Sequence, residues 1–254
     1  MKKPFILFVI IAAASAPVFA LPGFSLSGGG GGIFNIHWKT ADLLDKYKDY
    51  QGGDYDTPTV ATQDALRQGL FDTKDLTVGG GVYGFFDATY AEGSCALIFN
   101  HVSQTVAIPN LDNIPSLNGE ETHDYLFIQI NLSLLLKYPF DITESLKIFP
   151  LLGIDGQIAV GDYDENMKKD FKKIANMGYD MPNIGEFWNS LWLKLGVGTD
   201  FFLAGNLFLR GEVLYGFKLN SKYDSEMADY WAKELKGVAN GLNLRIGLGY
   251  KFLG

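Results

Sequence analysis

The stretch Gly237-Val-Ala-Asn-Gly-Leu-Asn-Leu-Arg-Ile-Gly-Leu-Gly-Tyr-Lys-Phe252 decides the fold of this chain. Apolar residues recur at every second position, and the row ends on two aromatics: Val238, Leu242, Leu244, Ile246, Leu248, Tyr250 and Phe252. Between them lie glycine, asparagine, arginine and lysine. Strict alternation predicts a β-strand. A complete apolar face opposite a small, charged face is typical of a strand that contacts lipid on one side and lines a narrow lumen on the other.

The same alternation recurs along the chain and predicts eight strands. The fourth has the longest apolar row, with Leu126, Ile128, Ile130, Leu132, Leu134, Leu136, Tyr138 and Phe140 on one face. The third is ambiguous because neither of its faces is cleanly apolar, and we expect a β-bulge there. The predicted strands cover 24–38, 76–90, 95–107, 126–140, 148–160, 187–203, 207–220 and 237–252.

The connections between these strands alternate between long and short. Short turns are predicted near 93, 143 and 205, and the long, partly helical loops cover 39–75, 108–122, 162–186 and 223–236. We therefore predict an all-β fold, an eight-stranded antiparallel transmembrane up-and-down β-barrel with short periplasmic turns and long outer loops. Closure is required because lipid cannot satisfy a free strand edge. A soluble lipocalin-like barrel is the alternative, but its outer rows would be polar.

Residues 1–20 have the pattern of a cleaved signal peptide. Lys2 and Lys3 precede an apolar centre, Phe5 to Ala14, and Val18-Phe19-Ala20 offers small residues for cleavage. We expect export and a single barrel domain over residues 21–254.

The composition excludes several classes of function. The net charge is −8, and loss of the two lysines of the signal peptide makes it −10, so nucleic acid is not an expected partner. The single cysteine, Cys95, allows no intramolecular disulfide. The sequence has neither metal-ligand spacing nor a Ser/His/Asp arrangement for catalysis, so we predict no enzyme activity, metal or cofactor.

The final residues also resemble the C-terminal assembly signal of bacterial outer-membrane barrels. The matching positions include Arg245, Gly247, Tyr250 and Phe252, although Leu253 and Gly254 follow where the family usually ends. As a whole, the mature chain resembles small eight-stranded outer-membrane proteins of the OmpX or OmpW type. The resemblance implies an outer-membrane location, contact with the bilayer and lipopolysaccharide, and recognition by the barrel-assembly machinery.

Charged residues on the inward faces predict ion pairs inside the barrel. A three-residue loop, Ala204-Gly205-Asn206, would pair Leu203 with Leu207 and place Asp200 opposite Arg210. Because a narrow lumen cannot hold unpaired charges cheaply, we predict a paired network that includes Asp200, Arg210, Glu212 and Arg245.

The outer half of the lumen is predicted to be closed by tryptophan. Trp188 and Trp192 share the inward parity of the sixth strand, across the barrel from glycines of the first two strands: Gly29, Gly31, Gly79 and Gly81. Large side chains opposite glycine would fill a tapered interior. The alternative is a ligand pocket with the tryptophans as its floor.

Two functional hypotheses follow from the sequence. One is a structural or surface-interaction barrel with a plugged lumen, whose outer loops contact a host or matrix ligand, as the OmpX type implies. The other is a narrow channel or a lateral-diffusion route for small solutes, hydrophobic ones included, as the OmpW type implies.

Overall fold

A computed structural model describes residues 24–42, 72–107, 120–160, 190–220 and 236–253. Within these ranges, no helix is long and apolar enough to span a membrane. The segment Phe140–Thr143 continues the fourth strand after Tyr138-Pro139. The described strands are β1 Leu26–Asp42, β2 Asp72–Ala88, β3 Ala91–Ala107, β4 Glu120–Lys137, β5 Leu146–Val160, β6 Ser190–Ala204, β7 Leu207–Asn220 and β8 Lys236–Leu253.

Each strand pairs antiparallel with the next one along the chain, and β8 pairs with β1. The sheet is therefore a closed, eight-stranded up-and-down barrel, and the predicted fold class is confirmed. The signal peptide, Trp188 and the helical segments predicted in the long loops all lie outside the described residues.

The expectation of a bulge in the third strand was wrong. β3 pairs with β2 and with β4 in one continuous register from Ala91 to Ala107. The apolar residues of this strand do not all fall on one face, because Ile98 and Val102 point inward and are fully buried. The lumen itself has an apolar core, so apolar residues occupy both faces of this strand.

Two hairpins also differ from the prediction. The turn between β2 and β3 is Thr89-Tyr90, so Glu92, expected in a turn, lies in β3. Between β6 and β7, Ala204 pairs with Leu207, and Leu203 falls in a bulge. Gly205 has a φ of 56°, which glycine adopts freely, and it allows a two-residue turn with Asn206.

The outer wall of the barrel is apolar all the way around. Every strand has large outward side chains that are more than a third exposed, with Ile246 at 67% and Phe252 at 61%. Aromatic rings pair near both edges of this belt: Trp38 with Tyr215 at a centroid distance of 6.0 Å, and Tyr250 with Phe252 at 5.7 Å. An apolar belt edged by aromatic girdles is the exterior of a membrane-spanning barrel.

Candidate functional site in the barrel lumen

The lower lumen is organised around Arg210 of β7, which is fully buried. In the register of the hairpin, Asp200 of β6 lies directly opposite it. The two Asp200 oxygens accept hydrogen bonds from Nε and Nη2 of Arg210, both at 2.7 Å. Arg210 Nη1 donates to Glu92 at 2.7 Å, and Nη2 also donates to Asp87. One guanidinium thus holds three carboxylates from three strands.

Aromatic rings enclose this guanidinium. The Arg210 Cζ atom lies 4.3 Å from the ring centroid of Phe85, 5.2 Å from that of Phe208 and 5.3 Å from that of Phe149. The rings supply cation–π attraction and keep water away from the ion pairs. Removal of water strengthens the pairs and also raises the cost of breaking them.

A second arginine extends the network. Arg245 Nη1 lies 3.4 Å from Glu212 and 3.5 Å from Glu92, and it donates to Ser94 at 3.1 Å. Glu92 therefore joins the Arg245 group to the Arg210 group. The four ion-pair residues named from the sequence lie in this one cluster, while Glu92 was missed because its position was assigned to a turn.

Above the charges, a ring of polar side chains crosses the lumen. Asn35 donates to Asn100 at 3.1 Å, Asn100 to Gln129 at 3.2 Å, and Gln129 to Asn131. Asn131 then donates to Asp155 at 3.4 Å. These links run from β1 through β3 and β4 to β5.

The other half of this polar ring runs through a lysine. Lys194 Nζ of β6 lies 3.7 Å from Asp155 and donates to Asn243 of β8. Asn243 is paired with Asn35 in the register of β8 and β1. The ring therefore comes back to its starting strand.

Two glycines make the polar ring possible. β2 contributes Gly79, where a Cβ would lie 2.1 Å from Asn100 Oδ1 and 2.8 Å from Asn35 Oδ1. β7 contributes Gly216, where a Cβ would lie 2.8 Å from Lys194 Nζ. Side chains of the flanking strands meet above each glycine, so the ring passes around the whole barrel wall.

An aromatic pair lies next to the polar ring. The Trp192 indole stacks on the His37 imidazole across the lumen, with centroids 4.6 Å apart, and its Nε1 donates to Ser190 at 2.7 Å. A Cβ on Gly241 would lie 2.2 Å from His37 Cδ2, so glycine makes the space that the imidazole uses.

The structure gives the glycines proposed as partners of Trp192 other neighbours. Gly79 lies under the amides of the polar ring, and a Cβ on Gly81 would lie 1.9 Å from the backbone oxygen of Leu97. A Cβ on Gly29 or Gly31 would likewise meet neighbouring backbone, 2.0 Å from the nearest oxygen. Trp192 is buried as its parity indicated, but its partner is an aromatic side chain of β1.

Replacing Gly198 with alanine is expected to destabilise the barrel by about 1–3 kcal/mol, because overpacking a filled interior forces neighbours to move. The new Cβ would lie 2.1 Å from Cε2 of Phe149, one of the rings around Arg210. The measurement is urea-induced unfolding in lipid vesicles. Gly156→Ala is the matched control, since its Cβ would lie 3.8 Å from its nearest neighbour. Equal stability of the two variants would contradict the packing.

Two observations concern possible metal ligands and thiols in the part of the chain that the structure describes. There, no group of three or more His, Cys, Asp or Glu side chains is arranged to hold a metal ion. Cys95 is a free, exposed thiol on the outer wall.

A closed eight-stranded barrel with an apolar, aromatic-edged exterior and a filled lumen has the architecture of a small membrane-spanning β-barrel. No protein-family model and no curated protein sequence matches this chain. Solved structures with a similar course include the outer-membrane protein OprG of Pseudomonas aeruginosa, with 15% identity over 91% of this chain and 96% of that chain, and a TM-score of 0.45.

Two further structures give lower scores. Neisserial surface protein A is 12% identical over 91% of this chain and 97% of its own length, with a TM-score of 0.35. Ail of Yersinia pestis is 10% identical over 89% and 99%, with a TM-score of 0.27. The strand register and the apolar exterior of this chain therefore define its fold.

Proposed function

We propose that this chain is an outer-membrane barrel with a sealed lumen, which serves as a structural or surface-interaction protein and has no enzyme activity. The observation that carries the proposal is the polar ring that passes around all eight strands. Its members bond to one another around the barrel wall, apart from the seam between β8 and β1, so they hold few free groups for a passing ion. Lys194 and Asp155, the charges within it, are each only 1% exposed.

Physical limits on an eight-stranded barrel support this proposal. Its interior is just wide enough to be filled by side chains. Here the filling comes in three levels: the Arg210 cluster with its phenylalanine rings, the polar ring, and the Trp192–His37 stack. An ion would have to break buried, charge-assisted hydrogen bonds at two of these levels.

The proposed setting follows from the exterior and from the sequence. The apolar belt contacts the bilayer, and the outer-membrane leaflet supplies lipopolysaccharide. Residues 1–20 direct export, and the barrel-assembly machinery recognises the end of β8. The long outer connections, which lie outside the described residues, carry the contacts with a host or matrix ligand.

Planar-bilayer recordings test the seal. The wild type is expected to show no steady conductance steps, whereas Trp192→Ala/Gln129→Ala, which removes the stacked cap and one link of the polar ring, is expected to conduct. Leu248→Ala on the lipid-facing wall is the control and is expected to stay silent. A steady wild-type pore that the double substitution leaves unchanged would refute the seal.

A lateral route for hydrophobic solutes is the second candidate, and one observation favours it. Val102, Tyr125 and Phe127 form an apolar patch on the inner wall. Uptake of a lipid-soluble solute into vesicles, reduced by Phe127→Asp and unaffected by Leu248→Asp, would support this route over the sealed barrel.

A further inference from the structure

The polar ring is incomplete at one place, the seam between β8 and β1. Asn243 Nδ2 and Asn35 Oδ1 have no hydrogen-bond partner among the described residues, although both side chains are at least 99% buried. The two residues are direct partners in the register. Directly opposite residues have their Cβ atoms about 4.5–5.5 Å apart, so a free donor faces a free acceptor.

The charged members of the polar ring fix these amide orientations. The Lys194 ammonium can only donate, so Asn243 must offer it the oxygen and keep its Nδ2 free. The Asp155 carboxylate accepts at the other end, so Asn131 and each amide before it donates in the same direction. The last member, Asn35, therefore donates to Asn100 and keeps its Oδ1 free.

A third unpartnered group belongs to the same patch. His37, two residues beyond Asn35, is 8% exposed, and its Nε2 has no hydrogen-bond partner among the described residues. Its register partner is Gly241, two residues before Asn243. A Cβ at Gly241 would lie 3.0 Å from Nε2, which places this nitrogen over the bare backbone of β8.

We propose that the seam is a binding site for one buried water molecule, which completes the polar ring where the first strand meets the last. A buried water typically makes about three hydrogen bonds to groups that would otherwise lack a partner. Here it accepts from Asn243 Nδ2 and donates to Asn35 Oδ1 and to His37 Nε2. A direct bond between the two asparagines would satisfy only two of the three groups and leave His37 unpaired.

This site would make completion of the polar ring depend on barrel closure. Asn35 belongs to the half-ring that ends at Asp155, and Asn243 belongs to the half held by Lys194. The water binds only when β1 and β8 are paired, because it needs side chains from both strands. It also connects the polar ring to the Trp192–His37 stack.

Water-edited solid-state NMR on the full chain, refolded in bilayers with ¹⁵N-labelled histidine and asparagine, tests the site. We expect magnetisation transfer from water to His37 Nε2 and Asn243 Nδ2 in the wild type. Asn35→Leu/Asn243→Leu is expected to abolish the transfer to His37, whereas Asn240→Leu, on the same strand but on the outer face, leaves it unchanged.

Two results would overturn the proposal. One is a wild type with no transfer from water to His37 Nε2, as a direct Asn243–Asn35 bond would give. The other is transfer that survives the double leucine substitution. Should that variant fail to fold, the wild-type measurement still decides, since the proposal requires a water contact at His37.

Discussion

Replacing Arg210 with methionine is expected to destabilise the barrel by about 3–5 kcal/mol, because removal of one partner leaves buried charges uncompensated. Arg210 is the common partner of Asp200, Glu92 and Asp87. Methionine keeps much of the side-chain volume among the phenylalanine rings. The loss of stability is therefore expected to come mainly from the unpaired buried carboxylates and only to a small extent from a packing cavity.

The measurement is the free energy of unfolding in urea, followed by tryptophan fluorescence in lipid vesicles. Lys147→Met is the matched control, because Lys147 Nζ lies 3.0 Å from Asp141 in a pair that is partly open to solvent. Exposed pairs contribute about 0–1 kcal/mol. A similar loss of stability in both variants would show that burial does not determine how much the Arg210 cluster contributes to the free energy of unfolding.

A double-mutant cycle with Asp200→Asn tests the register itself. If Asp200 and Arg210 are direct partners, the double variant loses less stability than the sum of the single variants, since the second substitution removes a charge that the first left stranded. Simple additivity would contradict the pairing that the hairpin parity predicts.

The side-chain period of two explains why the faces of most strands were predictable. Once Leu209 and Val213 are assigned to lipid, Arg210 and Glu212 must point inward, and the parity of a hairpin limits which residues of β6 can face them. The bulge at Leu203 did not disturb the pair with Asp200, because it absorbs one residue at the turn and leaves the ladder beyond it in register.

Contacts that skip a strand were not predictable in this way. Asn35 meets Asn100 only because Gly79, on the strand between them, has no side chain. Finding such a contact requires the register of two strand pairs at once, and the sequence restricts only the pairs joined by short turns. The β8–β1 pairing has no turn at all, so the seam residues Asn243 and Asn35 were not recognised as neighbours.

The stacking of Trp192 on His37 shows the same limit. The parity of β6 indicated that the indole points inward, but its partner depends on how far the strands are staggered around the barrel. β1 and β6 are not adjacent in the sheet, so no hydrogen-bonded ladder relates them directly. The sequence also does not distinguish one inward glycine from another, although in the structure each glycine leaves room for a different neighbouring side chain or backbone atom.

Replacing both Tyr250 and Phe252 with aspartate is expected to reduce the membrane-inserted fraction severalfold in cells. Both side chains point outward at the end of β8, 48% and 61% exposed, and their rings lie 5.7 Å apart. Both lie on the outer wall, away from the ion pairs of the lumen, so the buried networks should remain intact. Near the membrane interface, a charged substitution on the lipid face costs only about 0–1 kcal/mol.

The small expected change in stability allows recognition and stability to be separated. Insertion in cells requires the assembly machinery, whereas refolding into vesicles requires only the barrel. We therefore expect a large loss of insertion in cells. The free energy of unfolding in vesicles is expected to stay within about 2 kcal/mol of the wild type, because each of the two interfacial charges costs at most about 1 kcal/mol. Leu203→Asp/Leu253→Asp places the same charges on other exposed side chains and is the control. Normal insertion of the Tyr250→Asp/Phe252→Asp variant, or equal loss in the control, would show that the terminal aromatics do not form an assembly signal.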